Sequence, residues 1–356
     1  MILGSTGSIG VQALEIIGAN PDKFKVVGLV AGGSNPALLE KQAKDFSVTK
    51  TGIGIEAAKE LASMDCDIVL NAITGSIGLG ATLAALESGN KVALANKESL
   101  VAGGELVMKF GRDQIIPVDS EHSALYQALR AGNDSEVKKM VLTASGGPFR
   151  EREDLSTVTV EDALNHPTWS MGTVVTINSA TLMNKGLEII EAHYLFNLPY
   201  EKIEAVIHPQ SIVHSMVEFI DGSTIAQASP PDMKGPIAYA LGEGNRVAKA
   251  LSPIDWSKAQ SWNFAPIDEK RFPAIRLARE VGSAGGGFTA IFNAANEVAV
   301  ESFLNRSLSF TQIVDVVERT VNRLSKSAPF QINTLEDVSA IENDARALAS
   351  ELIKGA

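Results

Sequence analysis

Cysteine is almost missing from this chain. Cys66 stands alone among 356 residues, which excludes an intramolecular disulfide and a thiolate metal cluster. No apolar run approaches the ~20 residues that a bilayer-spanning helix needs, so membrane integration is not expected. Positive charge is also scarce. Lys and Arg number 31 against 42 Asp and Glu, a formal net charge of −11. Such a chain repels a polyanion, which argues against a general nucleic-acid binder. If it handles phosphorylated compounds, local donors or a metal ion must do so. No charged stretch followed by an apolar one precedes the glycines that begin at Gly4, so no signal peptide is expected, and a reducing cytoplasm is the expected location. Repeats and low-complexity segments are absent. What remains, 45% apolar and 21% charged, is the composition of a soluble enzyme, with a length that suggests roughly two or three domains.

The first 118 residues alternate strand-like and helix-like segments. Lys25–Val30, Asp67–Ala72, Lys91–Leu94 and Gln114–Val118 read as strands. Val11–Ala19, Pro36–Phe46, Ala81–Ser88 and Leu100–Phe110 read as helices. This alternation predicts parallel βαβ units, and the nearly all-apolar Val26–Val30 suits a sheet covered on both faces. From about Asp119 the pattern changes to longer Gly/Pro loops. One helix is predicted over Thr181–Phe196, and strands over Ile203–Ile207, Ile212–Phe219 and Thr224–Ala228, an α+β pattern. Pro253–Pro273 reads as a connecting arm. Helical patterns at Ala274–Val281, Thr289–Leu304, Thr311–Leu324 and Leu335–Leu352 predict a helical bundle. The expected architecture is α/β: an N-terminal Rossmann-like parallel sheet (residues 1–118), a central α+β catalytic domain (119–252), an arm (253–273) and a C-terminal helical domain (274–356).

Gly4-Ser5-Thr6-Gly7-Ser8-Ile9-Gly10 follows an apolar pair and opens a helix. Glycines there permit a tight turn and close approach of backbone N–H groups to a pyrophosphate. The spacing G-x-x-G-x-x-G is looser than the dinucleotide fingerprint, and by itself fits a βα turn without a ligand. The end of the second strand reads Val30-Ala31-Gly32-Gly33-Ser34-Asn35-Pro36, without the acid that would hold an NAD ribose. Small polar residues before a helix start suit a 2′-phosphate, which points to NADP(H).

Val118-Asp119-Ser120-Glu121-His122-Ser123 places two carboxylates at i and i+2 where a predicted strand gives way to a helix. Oxygen ligands in such proximity favour Mg²⁺ or Mn²⁺ over zinc, although helix capping by Asp119 or Ser120 explains the same residues. In Ser179-Ala180-Thr181-Leu182-Met183-Asn184-Lys185-Gly186-Leu187-Glu188-Ile189-Ile190-Glu191, the positions Asn184, Lys185, Glu188 and Glu191 recur at helical spacing. A solvated face accounts for the charges, whereas the Ser/Thr/Asn cluster at its start suits a phosphate. Ala95-Asn96-Lys97-Glu98-Ser99 follows a strand, and Ser145-Gly146-Gly147 offers a hydroxyl beside bare amides. His166-Pro167-Thr168-Trp169-Ser170-Met171-Gly172 puts an indole on a loop that suits a lid. His193, His208 and His214 read as structural, and Gly285-Gly286-Gly287 as the approach to a helix.

Together, and in this order along the chain, these segments resemble the 1-deoxy-D-xylulose-5-phosphate reductoisomerase family, as do His208-Pro-Gln-Ser-Ile-Val-His-Ser215, Pro231-Asp-Met233 and Asn293-Ala-Ala-Asn-Glu297. The resemblance implies conversion of 1-deoxy-D-xylulose 5-phosphate to 2-C-methyl-D-erythritol 4-phosphate in non-mevalonate isoprenoid synthesis. It implies NADPH and Mg²⁺ or Mn²⁺ (Co²⁺ also serving) as cofactors, and a homodimer without a nucleic-acid or membrane partner. By motif it makes Asp119, Glu121 and Glu188 metal ligands. Ser145, His166, Ser179, Asn184 and Lys185 become the phosphate-binding set, and Lys97, Ser120 and Glu121 face the substrate backbone. Lys97 and His166 join the three acids as catalytic residues, with Glu188 also against the substrate. Thr6, Gly7, Ser8, Ile9, Gly33, Ser34, Asn35, Asn96, Glu98 and Gly172 become NADPH contacts. The inhibitor fosmidomycin would lie with its phosphonate in the phosphate pocket and its hydroxamate on the metal.

The chain departs from the family pattern in places. Family members commonly carry Lys near Val174 and Asp at Asn178, both neutral here. The segment between Phe46 and Asp67 reads as short, lacking a strand and part of a helix. Two rival readings stay open on sequence: another NADP oxidoreductase acting on an acidic or phosphorylated carbonyl compound, and a non-catalytic NADPH-binding relative.

Overall fold

A computed structural model describes residues 1–169, 171–327 and 330–355. The chain opens with β1 (Ile2–Leu3), α1 (Ser8–Gly18), β2 (Leu29–Ala31), α2 (Pro36–Asp45), β3 (Thr51–Ile53), α3 (Gly54–Ala62), β4 (Ile68–Asn71), α4 (Leu79–Glu87), β5 (Lys91–Leu94), α5 (Glu98–Val107) and β6 (Ile115–Pro117). The six strands form one sheet in the order β3-β2-β1-β4-β5-β6, every pairing parallel. Successive side chains go to opposite faces. Ile2, Leu29, Ala31, Leu70, Ala93 and Ile116 enter one core with α1 and α2. Leu3, Val30, Val69, Val92, Leu94 and Ile115 enter the other with α3, α4 and α5. Both faces are covered, as the apolar runs require.

The strand expected at Lys25–Val30 begins only at Leu29. The register that pairs Ile2 with Leu29 leaves Lys25–Val27 without a partner on β1. The segment between Phe46 and Asp67 overturns its expectation: it supplies both β3 and α3. That strand escaped notice because it is a short edge strand, half exposed, with Gly52 at its centre. It also runs straight into α3 through Gly54 at φ +87°, with no connecting loop.

The chain continues through α6 (Ser120–Ala128), β7 (Val137–Ala144), α7 (Val160–Leu164), α8 (Thr173–Ala180), α9 (Met183–Phe196), β8 (Ile203–Ile207), β9 (Val213–Phe219), β10 (Thr224–Ala228), α10 (Lys234–Leu241) and β11 (Ala265–Pro266). The second sheet has the order β10-β9-β7-β8-β11, with β7 and β8 parallel and the other pairs antiparallel. The helix predicted over Thr181–Phe196 begins two residues later, as α9, and is preceded by α8, which no predicted element covers. Leu182 stands between α8 and α9 at φ +58°, and this break turns Ser179 away from the axis that carries Asn184 and Glu188. Although it follows the second sheet in sequence, α10 sends Ile237, Ala238 and Ala240 into the core of the first. The expected arm is largely irregular, but β11 pairs with β8.

The C-terminal helices are α11 (Ala274–Ala284), α12 (Phe288–Leu304), α13 (Gln312–Leu324) and α14 (Leu335–Lys354), within three residues of expectation at every end. A capping box at Thr334 and Asp337 starts α14. Among the described residues no helix is long and apolar enough to cross a membrane.

Candidate active site

Glycine packing builds the first part of the site. Gly4 lies at φ +85°, and a Cβ there would meet the Ala72 carbonyl oxygen at 2.6 Å. A Cβ on Gly10 would meet the Gly4 oxygen at 2.4 Å. Only glycines let the turn close this tightly. Gly7 caps α1 without a side-chain bond and no acid occupies the first turn, so Thr6, Gly7, Ser8 and Ile9 surround a free helix N-terminus. The order of strands reverses direction between β1 and β4, which makes the crevice above their carboxyl ends the expected ligand position in such a sheet. At its far side Gly33 takes φ +94° and Asn35 caps α2 by accepting from the Leu38 amide. Ser34 is exposed beside them. Asn96 follows β5; its side-chain amide donates to the carbonyls of Ile73 and Gly75 at 2.6 and 2.8 Å and to Glu98 at 3.1 Å. Gly172 stands apart at the head of α8, where its carbonyl accepts from Thr176, and no hydrogen bond among the described residues ties it to the glycine loop.

The second part is acidic. Asp119 caps α6, accepting from the Glu121 amide at 3.1 Å, so capping and clustering both hold. Oxygens of Asp119, Glu121 and Glu188 all lie within 4.8 Å of one another. The Lys97 ammonium reaches Asp119 at 2.5 Å, Glu188 at 3.0 Å and the Asn184 amide oxygen at 3.1 Å. Lys185 pairs with Glu188 and lies 3.5 Å from Glu121. Ser120 donates to Glu121 at 2.7 Å.

Beneath this cage lies a pair that sequence reasoning gave no role. His122, wholly buried, faces the Glu188 carbonyl through Nε2 at 2.8 Å. Its Nδ1 faces Asp119 at 3.0 Å and Glu191 at 3.2 Å. Every partner is an acceptor, so both ring nitrogens donate and the ring is an imidazolium. Burial opposes that charge, but Glu191 and Asp119 outweigh it and raise its pKa to about 9.

Four carboxylates here face two ammonium groups and one imidazolium, and the deficit of positive charge shows in the titrations. Burial would raise Asp119, yet Lys97 and His122 hold it well below the usual carboxylate range. Burial pushes Glu121 up to about 8 despite Lys185, with Glu188 and Asp119 adding to the rise. Glu191 rises to about 7, chiefly through burial. Burial works against the charge of Lys97 as well, but Asp119, Glu188 and Glu191 hold its pKa well above normal. Two more positive charges from a hard cation would return Glu121 to its ionised form, and an oxygen-only donor set suits Mg²⁺ or Mn²⁺. Asp119, His122 and Glu191 also bring donor atoms within 4.8 Å, but the imidazolium nitrogens have no lone pair to offer. The residues present therefore fit a divalent cation at Asp119, Glu121 and Glu188.

The third part is a pocket of hydroxyls. Gly146 and Gly147, at φ +81° and +62°, turn the chain after β7 so that it closes on α8, where a Gly147 Cβ would be 3.0 Å from the Ser179 carbonyl. His166 Nε2 thereby sits 3.0 Å from Ser145 Oγ and 3.1 Å from Ser179 Oγ. Its Nδ1 accepts from the amides of Thr168 and Trp169 at 3.1 and 2.9 Å, so the proton belongs on Nε2. Burial and then Arg150 lower its pKa, which keeps the ring neutral. Trp169 is half-buried, edge-on to His214; Ser170 lies outside the described residues. His193 stacks on Tyr200, and His208 accepts from the Ile212 and Val213 amides, both structural roles. Val174 is exposed, while Asn178 is buried and accepts from Asn296.

Comparison with known proteins follows this geometry. The family described as 1-deoxy-D-xylulose 5-phosphate reductoisomerase matches residues 1–53 and 47–104, two pieces that meet in the short segment after Phe46. The reductoisomerase C-terminal domain families match residues 115–196 and 228–348. The chain is 57% identical to the 1-deoxy-D-xylulose 5-phosphate reductoisomerase of Leifsonia xyli subsp. xyli, over 99% of this chain and 98% of that protein. It is 52% identical to the enzyme so named from Kitasatospora griseola, over 100% of both. Among solved structures, the Zymomonas mobilis reductoisomerase in complex with NADPH aligns with TM-score 0.92 at 40% identity, covering 100% of this chain and 98% of that one. A reductoisomerase complex with NADPH, fosmidomycin and magnesium aligns with TM-score 0.89 at 37% identity, covering 99% and 97%.

Proposed function

This chain belongs to the 1-deoxy-D-xylulose 5-phosphate reductoisomerase family, and from that premise we propose that its acidic cage is where it converts 1-deoxy-D-xylulose 5-phosphate to 2-C-methyl-D-erythritol 4-phosphate with NADPH and a divalent cation. The observation that carries the assignment is the convergence of Asp119, Glu121 and Glu188, drawn from two distant stretches, on a space 4.8 Å across. When bound, the cation supplies Lewis acidity to neighbouring substrate oxygens and NADPH supplies the hydride.

The protein's own groups do the rest. Ser145, Ser179 and the Nε2–H of His166 offer three donors to one phosphate, with Asn184 and Lys185 at the boundary between phosphate pocket and cage. Anchoring the phosphate there fixes the direction in which the carbon chain meets the metal. Lys97 keeps a positive charge beside the position where substrate oxygens become anionic during rearrangement, and Ser120 orients Glu121. His166 Nδ1 is bonded to the Trp169 amide, so the Trp169 loop moves with the phosphate-binding ring and excludes water when it closes. The glycine loop and Gly33–Asn35 hold the cofactor, with Asn96, Glu98 and Gly172 completing its contacts.

We also read the chain as a cytoplasmic homodimer. The outer edge of β10, with Ile225 on it and Ile220 in the preceding turn both exposed, supports pairing with a second copy. The domain division at 118, 252 and 273 belongs to the same reading.

The test is NADPH oxidation on addition of 1-deoxy-D-xylulose 5-phosphate. It is expected to require Mg²⁺ or Mn²⁺, to stop with EDTA and to resume on restoring the cation. Turnover undiminished by chelation would overturn the assignment, and sedimentation as a monomer would overturn the dimer.

A further inference from the structure

The C-terminal helices reach back to the cofactor crevice through a chain of polar side chains that the mechanism does not use. The loop after β4, residues 72–78, forms the β4 wall of that crevice, with the Ala72 carbonyl packed against Gly4. Ser76 in this loop is buried and donates from Oγ to Glu342 Oε2 of α14 at 2.8 Å. Arg346, one turn further along α14, reaches Ser76 Oγ at 3.2 Å and Glu297 Oε2 of α12 at 2.7 Å. The other oxygen of Glu297 accepts from Asn293 and lies 3.5 Å from where a Gly75 Cβ would be. On the opposite side of the same loop stands the Asn96 amide, bonded to the Ile73 and Gly75 carbonyls.

As glue this arrangement is expensive. Glu342 is buried, its Oε1 has no partner among the described residues, and two carboxylates, Glu297 and Glu342, share one guanidinium. An apolar contact would join loop and helices at lower cost. What directional bonds add is a fixed position for the loop, since residues 73–76 are gripped at the side chain of Ser76 from one side and at two carbonyls from the other.

We propose that Arg346, with Glu342 and Glu297, is a positioning group for NADPH: it acts through Ser76 to hold the 72–78 wall at the spacing the dinucleotide requires, which makes the C-terminal helices part of the cofactor site. The proposal rests on the reading that NADPH occupies the β1–β4 crevice.

The test uses the full-length chain, with NADPH affinity read by fluorescence titration and backbone amide exchange followed across residues 72–78. Arg346→Ala is expected to weaken NADPH about tenfold, roughly 1.4 kcal/mol, and to speed exchange in that loop. KM for NADPH rises with it, while kcat at saturating NADPH and KM for the sugar phosphate stay within about twofold. Arg346→Lys recovers part of the affinity, since it keeps the charge without the two-pronged reach. Ser76→Ala, a smaller change, shifts affinity in the same direction and covers the case in which Arg346→Ala fails to fold. The inference is overturned if the folded variants bind NADPH like wild type, or if kcat falls while NADPH affinity is unchanged. Wild-type protein that fails to bind NADPH would instead overturn the reading beneath it.

Discussion

Gly10→Ala sets two effects against each other. Inside a helix, replacing glycine with alanine stabilises by roughly 0.5–1 kcal/mol through backbone entropy. At Gly10, however, the new Cβ would lie 2.4 Å from the Gly4 oxygen, 2.5 Å from Ser5 Cα and 2.7 Å from Ser5 C. All three are backbone atoms, so no side chain can swing aside and the loop itself must open, at a cost of about 1–3 kcal/mol. The clash wins, with a net loss of about 1–2 kcal/mol and a melting temperature lower by roughly 1–3 °C. The same displacement moves the amides at the start of α1, so NADPH is expected to bind about tenfold more weakly. Gly18→Ala is the internal control. There the Cβ meets only ring atoms of Phe46 at 3.6 and 3.8 Å, ordinary contact distances, and neither stability nor NADPH affinity should fall. Differential scanning calorimetry and fluorescence titration read both variants. A Gly10→Ala protein that melts no lower than wild type and binds NADPH within twofold would refute the packing argument.

Asp119→Asn and Glu188→Gln should each lower kcat/KM by more than about 100-fold and abolish calorimetric Mn²⁺ binding, with NADPH affinity unchanged; Mn²⁺ bound as in wild type would count against the cage. Metal affinity should fall with acidity. Without the cation Glu121 titrates near 8 and must be ionised to ligate, so the affinity is full above pH 8 and drops about tenfold per unit below it. Close to one proton should be released per cation bound at pH 7, measurable by calorimetry in buffers of different ionisation enthalpy. His166→Gln should raise KM for the sugar phosphate by about 10–100-fold, with KM for NADPH unmoved; equal rises in both would mean that the imidazole is not confined to the phosphate pocket.

The cofactor sheet was legible because each of its central strands must bury both faces, and only uninterrupted apolar runs do so. Where that requirement lapses, so does the signal. Thr51-Gly52-Ile53 at the sheet edge has no covered face to declare it. The strand expected to be missing from this short segment is therefore present at the sheet edge. The break at Leu182 was hidden for the opposite reason. Leucine carries no local sign of a positive φ, and the residues around it continue a helical pattern that packing then overrides. In the strand β7 two lysines, Lys138 and Lys139, interrupt the apolar run directly after the buried Val137.

The acidic cage announced itself through residue type and place, since carboxylates at the carboxyl end of a strand are costly unless something positive joins them. That cost is also why the sequence could not show its lower half. His122 and Glu191 were visible as letters, but their role depends on a histidine being enclosed by acceptors on every side, and those come from α6 and α9 together. The imidazolium so produced neutralises charge below the cage while two lysines neutralise it at the sides. The negative charge left over is concentrated where Glu121, raised to about 8, faces Asp119 and Glu188. A site balanced in this way is short of positive charge, which a divalent cation would supply. Charge balance of this kind is a property of three-dimensional enclosure, and no spacing along one segment encodes it.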